Sequence, residues 1–188
     1  DAVLYMRQGT DIDELCLLLA SGKNIITTRG DFHHPPMMDG DVRAKIEAAC
    51  AAGNSSIYST GSSPGFSTEA LILPLLSLQR RLDGLIIDEY ADMISRDSPD
   101  LLFQVMGFGD TLGDFDPRKI DHVRDNFVAS LAQVADAAGI KVDEWTAHGE
   151  LAAATQRVEI AAGVIEQGRV AAQRITVSAL RGGKAVLS

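Results

Sequence analysis

The chain has 188 residues, 46% of them hydrophobic, and a formal charge of −9 at pH 7. That length suits one domain, or one domain with part of another, and the apolar content supports a packed core. An acidic chain of pI near 4.8 repels phosphate backbones, which argues against general nucleic-acid binding. No apolar run approaches the roughly 20 residues of a membrane-spanning helix, so no membrane partner is expected.

Residues 1–6 read at once as a buried strand, with no leader pattern before it. Residues 11–20 form a helix that Asp11 or Asp13 can cap and Gly22 can end. Residues 24–28 give a second buried strand, so the opening is a parallel strand-helix-strand unit. Such a sheet normally has more strands upstream. Residues 41–52 form an amphipathic helix with Val42, Ile46, Ala49 and Cys50 on one face, closed by Gly53 and Asn54. Cys16 and Cys50, the two cysteines, lack zinc spacing and read as buried free thiols of a reducing, cytoplasmic compartment. A short strand over 56–60 leads into a tight loop over 61–67.

Residues 68–80 read as a helix interrupted by Pro74. Leu85, Ile86 and Ile87 form the apolar heart of a strand ending in Asp88, Glu89 and Tyr90. Residues 98–105 suggest a short helix with Ser98 as cap and Pro99 at its first position. Residues 107–117 are a Gly/Asp-rich loop, and 122–138 a long amphipathic helix closed by Gly139. Residues 141–155 and 158–165 look like strands joined by short turns. Residues 169–180 alternate as a strand, Arg181 to Lys184 turn, and 185–188 start a return strand. The fold class expected from the element order is α/β plus α+β: a parallel-sheet remnant over 1–60, then a strand-rich domain carrying helices over 61–188. Both ends read as cut, the second domain being truncated at its C-terminal end.

Chemistry has three candidate places. Thr27, Thr28, Arg29 and Gly30 follow the second strand, and open parallel sheets bind ligands beyond the carboxyl ends of their strands. Thr27, Thr28, Gly30 and Gly61 are therefore candidate nicotinamide or ribose contacts. The loop Gly61, Ser62, Ser63, Pro64, Gly65 precedes a helix, where free N–H groups and hydroxyls attract anions and amides. Ser62, Ser63, Gly65 and Asp92 are candidate substrate contacts. Glu89, Ser95 and Arg96 are the catalytic candidates: a carboxylate holds an ammonium, and a guanidinium grips a carboxylate. Alternation along that strand would put Glu89 on the face of Ile87 and Asp88 with Tyr90 on the other. His33 and His34 do not predict a metal, because adjacent imidazoles on an extended segment point apart and no third ligand has suitable spacing. His122, His148 and Trp145 read as structural. No Gly-x-Gly-x-x-Gly follows any strand, so the pyrophosphate site of a dinucleotide is not in this chain.

The opening strand, the stretch Ala20 to Asn24 and the tetrad Thr27 to Gly30 resemble the last part of the cofactor domain in dihydrodipicolinate reductases. The loop Thr60 to Phe66, the segment Glu89 to Pro99 and the stretch Gly168 to Arg174 more closely resemble 2,4-diaminopentanoate dehydrogenases. The resemblance implies that 1–60 is the end of a Rossmann-type parallel sheet and 61–188 a mixed-sheet substrate and oligomerisation domain, in an NAD- or NADP-dependent, homo-oligomeric oxidoreductase acting on the amine or imine carbon of an amino-acid substrate. The reductases carry Glu-Ala-His-His-Arg-Arg-Lys-Val-Asp-Ala-Pro where this chain has Glu89 to Pro99. Glu89, Asp97 and Pro99 coincide with that pattern. The paired histidines, the second implicated in proton donation, fall on Ala91 and Asp92, and the substrate-binding lysine on Ser95. Ala and Ser cannot replace them, and Asp92 would ordinarily be ionised at pH 7, so reduction of dihydrodipicolinate itself is not expected. A non-catalytic oligomerisation or ligand-binding module, or one half of a split dehydrogenase, are the alternatives.

Overall fold

The computed structural model describes residues Asp1–Ser188. Three short strands, β1 (Ala2–Tyr5), β2 (Asn24–Thr27) and β3 (Ile57–Ser59), form a parallel sheet in the order β1-β2-β3. Val3 lies opposite Ile25 and Ile25 opposite Ile57, which aligns one apolar face. The crossovers are α1 (Ile12–Ala20) and α2 (Gly40–Gly53). Asp11 caps α1 by accepting the Glu14 N–H at 3.0 Å, as expected for an aspartate at that position. Asp39 caps α2 through the N–H groups of Asp41 and Val42. Leu15 and Leu19, four residues apart on α1, meet Ile46 and Ala49 of α2 and Tyr5, Ile25 and Phe32 in one core cluster. The helices touch where α2 ends, at Gly53, and α2 closes on left-handed Asn54 at φ 46°.

After β3 the backbone loops through Ser63, Pro64 and Gly65 and enters helical turns that run into α3 (Ile72–Leu76). The helix stops at Leu76, where the sequence suggests residue 80, because the last turn tightens: the Ser77 hydroxyl and N–H both bond to the Pro74 carbonyl. α4 (Pro117–Ala138) begins five residues before the apolar pattern does, with Asp116 capping Arg118 and Pro117 in the first turn. It lies on an antiparallel sheet of β4 (Glu144–Ala153), β7 (Val170–Arg181) and β8 (Lys184–Leu187), in the order β4-β7-β8. Val128, Leu131, Val134 and Ala135 of the helix pack on Val177, Ala179, Val186 and Leu187 of the sheet. Between β4 and β7, residues 158–165 fold as a hairpin of β5 (Val158–Ile160) and β6 (Gly163–Ile165), not as one strand. A third cluster, Leu102, Phe108, Ala154, Ile165 and Val170, lies there. Residues 85–87 pair with β8 through a single parallel bridge, Leu85 to Leu187, and bonds to Val186 and Ser188. The whole is a mixed α/β fold, and no helix is long and apolar enough to cross a membrane.

Candidate functional site

The carboxyl edge of the parallel sheet is built from β2 and β3. Thr27 is fully buried at the end of β2, its hydroxyl donating to the Tyr5 carbonyl at 2.9 Å and accepting the Arg29 N–H at 3.3 Å. Its side chain is thus occupied in joining β1 to the loop. Thr28 is exposed beside Met6. The Ser59 hydroxyl donates to the Arg29 carbonyl at 2.6 Å and the Thr60 N–H to the Thr27 carbonyl at 3.0 Å. These bonds bring the tetrad after β2 and the loop after β3 to one edge. Gly30 opens a 3₁₀ turn, Gly30–Phe32.

Two glycines shape the loop. A Cβ at Gly61 would stand 2.6 Å from the Pro64 carbonyl oxygen, and Gly65 holds φ +131°, a region L side chains rarely adopt. The Phe66 N–H bonds to the Gly61 carbonyl, closing the turn. The Gly65 N–H donates to Thr68 Oγ1 at 2.9 Å, and that hydroxyl meets Ser130 of α4 at 2.6 Å. Ser62 is exposed. The Ser63 hydroxyl is buried and has no hydrogen-bond partner. Thr27, Thr28, Gly30, Gly61, Ser62, Ser63 and Gly65 therefore share one end of the sheet.

The other candidates lie on a different stretch. Glu89, Asp92, Ser95 and Arg96 are all exposed. Asp92 accepts the Ile94 N–H at 2.9 Å, Arg96 N–H donates to Met93, and the Ile94 carbonyl accepts Ala161 N–H from the turn between β5 and β6. None of the four forms a hydrogen bond or ion pair with loop 61–65. The alternation expected for Glu89 against Asp88 and Tyr90 is absent, because the strand pairing ends at Ile87 and all three side chains are exposed.

Sequence reasoning missed a buried pair of ionisable side chains, His33 and Glu69. His33 follows the 3₁₀ turn in helical backbone rather than on an extended segment. Its Nδ1 lies 2.6 Å from Glu69 Oε1, with the two side chains 1% and 9% exposed. With its amide turned to donate, Gln133 of α4 reaches Glu69 Oε2 at 2.6 Å and the His33 carbonyl at 2.9 Å. Nε2 of His33 is buried without a partner. His34, also buried, contacts Asp136 of α4 at 2.9 Å. The two rings engage different carboxylates, and no group of three His, Cys, Asp or Glu side chains is placed to hold a metal. On α4, Ser130, Gln133 and Asp136 recur at the three-residue spacing that shares one helix face. That stripe receives Thr68, the His33–Glu69 pair and His34 in succession. The one local signal for it was the polar stripe itself, Ser130, Gln133 and Asp136 at three-residue spacing beside the apolar face of Val128, Leu131 and Val134.

A cleft of 420 Å³ opens beside the 3₁₀ turn, walled by Gly30, Asp31, His34, Met37, Arg124 and Trp145. Trp145, expected to pack, packs partly on the α4 cluster and also lines this cleft. His122 contacts Asn126 on the exposed side of α4, and His148 is exposed on β4.

No family model matches this chain. No curated protein matches it either. Among solved structures, the amine dehydrogenase from Mycobacterium smegmatis is similar at a TM-score of 0.54 and 16% identity, over 95% of this chain and 53% of the other. At that identity the likeness shows a shared fold. The chain spans about half the length of that dehydrogenase, matched along nearly all of its own.

Proposed function

We propose that this chain is the substrate-side part of an NAD- or NADP-dependent oxidoreductase acting on a carbon that carries an amine or imine. The observation that carries the reading is the loop 61–65 at the carboxyl edge of the parallel sheet, where open α/β sheets take their ligands. The glycines fit a close approach: Gly61 has no room for a side chain against Pro64, and Gly65 has a positive φ. The buried, unpartnered hydroxyl of Ser63 offers a hydrogen bond to an amide or carboxylate. The similarity to a solved structure whose name is amine dehydrogenase points the same way.

In this reading Thr28, Gly30 and Gly61 lie along the nicotinamide and its ribose, and Ser62, Ser63 and Gly65 face the substrate. Thr27 acts through the backbone it holds. The nicotinamide supplies the hydride chemistry, and the chain positions and polarises what reacts with it. Glu89 and Asp92 hold the substrate ammonium, Arg96 its carboxylate, and Ser95 donates a hydrogen bond. Because those four are exposed and unlinked to loop 61–65, they complete the pocket only when a ligand bridges the two stretches. The domain boundary at residue 60, a homo-oligomer and a cytoplasmic location belong to the same proposal. The substitutions at Ala91, Asp92 and Ser95 continue to argue for an amino-acid amine rather than dihydrodipicolinate as substrate.

The test uses the full-length protein that carries this chain. NADH and NADPH are titrated by fluorescence, and amino acids and diamino acids are assayed with NAD and NADP. The expected result is binding of one reduced cofactor and turnover of an amino-acid amine. Arg96→Ala and Glu89→Gln are each expected to lower kcat/KM at least tenfold, a loss of about 1.4 kcal/mol. If both stay within about twofold of wild type, the substrate pocket is placed on the wrong segment.

A further inference from the structure

The parallel-sheet unit and α4 meet along a polar seam, where leucines would serve for adhesion alone. Glu69 is 7% exposed and His33 5%, and burying a carboxylate is unfavourable unless it is paired and hydrogen-bonded. Here it is both with the Gln133 amide turned to donate: the imidazole takes one oxygen and that amide the other. Well-packed apolar residues often match or exceed the stability of such a buried pair. A polar solution therefore asks for a reason beyond cohesion, and the geometry supplies one.

Glu69 follows Thr68, whose hydroxyl holds the N–H of Gly65. His33 ends the turn that starts at Gly30. The pair thus ties the helix that issues from loop 61–65 to the segment that issues from β2. Apolar contacts tolerate sliding, whereas a short hydrogen bond between two anchored groups fixes distance and orientation. The two buried polar atoms without partners, His33 Nε2 and Ser63 Oγ, lie on the two segments that the pair joins. Unpartnered buried polar atoms in a native chain cluster where function requires them.

We infer that His33 and Glu69, steadied by Gln133, are positioning residues that set the conformation of loop 61–65 for its ligand. The inference deepens the oxidoreductase reading and rests on it for the identity of the ligand, but the seam itself is testable alone.

Amide hydrogen exchange of the full-length protein reads both. In the double variant His33→Leu/Glu69→Leu, both polar partners are removed together. Peptides covering 60–67 are expected to exchange at least about tenfold faster, while α4 and the β4-β7-β8 sheet keep their protection. Glu69→Gln keeps an acceptor for the imidazole and is expected to stay within about 1.5-fold of wild type. A space-filling role abolishes that difference, since leucines fill the seam as well as glutamine does. Should the double variant fail to fold, Gln133→Met removes the amide alone and carries the same expectation at about threefold faster exchange in 60–67. Unchanged exchange of that loop in the folded variant, or loss spread equally over α4 and the sheet, overturns the inference. In wild type, NADH or NADPH is expected to slow exchange in 60–67. A wild-type loop indifferent to both, with the variant effects intact, refutes the nicotinamide reading and leaves the seam standing.

Discussion

Replacing Gly53 by alanine sets two effects of known sign against each other. Gly53 is the last residue of α2, and alanine in a helix is favoured over glycine by about 1 kcal/mol. The space denies that gain. The new Cβ would stand 1.9 Å from the Leu19 carbonyl oxygen and 2.9 Å from the Gly22 nitrogen, where ordinary contact begins at 3.4 Å. The shortfall of about 1.5 Å is against backbone, which cannot rotate aside as a side chain would. The end of α1 must therefore move from α2, loosening Leu15, Leu19, Ile46 and Ala49, which pack between them. Overpacking against backbone sits at the upper end of its usual range, about 3 kcal/mol, so the net loss is about 2 kcal/mol. For a chain of this size that lowers Tm by roughly 4–8 °C. Gly40, at the other end of α2, has nothing within 4 Å of its Cβ position. Gly40→Ala is the control, and its Tm is expected to hold or to rise by up to about 2 °C. Thermal melts followed by far-ultraviolet circular dichroism decide the matter. A Gly53→Ala variant melting at or above wild type would show that the helices do not meet there and that the helical crossover over the sheet is wrongly placed.

Two further expectations concern titrating groups. Burial pushes the Cys16 and Cys50 thiols up, helped by Asp13 at the first and by Cys16 at the second, so alkylation by iodoacetamide near neutral pH should run at least about tenfold slower in folded protein than in urea; equal rates would place both sulfurs at the surface. Asp116, which caps α4, is held below the usual carboxylate range first by the Arg118 side chain and then by the Arg118 N–H. A depressed carboxylate stabilises the fold above its unfolded pKa and ceases to as pH falls through its folded value. Asp116→Asn, which can still cap, should therefore lose less denaturant resistance than wild type between pH 5 and pH 3, and a parallel pH dependence of the two proteins would refute this. Because Arg118 is exposed, the difference should shrink in high salt.

What could be read from the chain was local, and most of what was missed was not. The parallel opening was legible because caps and spacing speak over a few residues: Asp11 before α1, Leu15 and Leu19 one turn apart, Asn54 after α2. The start of α4 escaped because Arg118, Lys119 and Asp121 leave Ile120 without an apolar neighbour in the first turn, although Asp116 and Pro117 spell an ordinary helix start. The run at 85–87 read as a core strand because apolar residues do not say how many neighbours a strand has; here its one partner is β8. The loop at 61–65 was visible as a place, since glycine and proline mark turns, but its orientation depends on Thr68 meeting Ser130 and on Glu69 meeting His33. Those pairs are separated by 62 and 36 residues, beyond any local pattern. Two adjacent histidines invited a question about metals, and the structure answers a different one: each is a tether to another element. The clue was on α4, where Ser130 borders the apolar face of Leu131 and Val134, and Gln133 and Asp136 continue a polar stripe from it at three-residue spacing. A polar side chain buried at such a border must find a partner or destabilise the fold, so Ser130 there predicts a buried polar contact even when the partner cannot be named. Applied to this chain, that rule leads from α4 to the base of loop 61–65, where the ligand is proposed to bind.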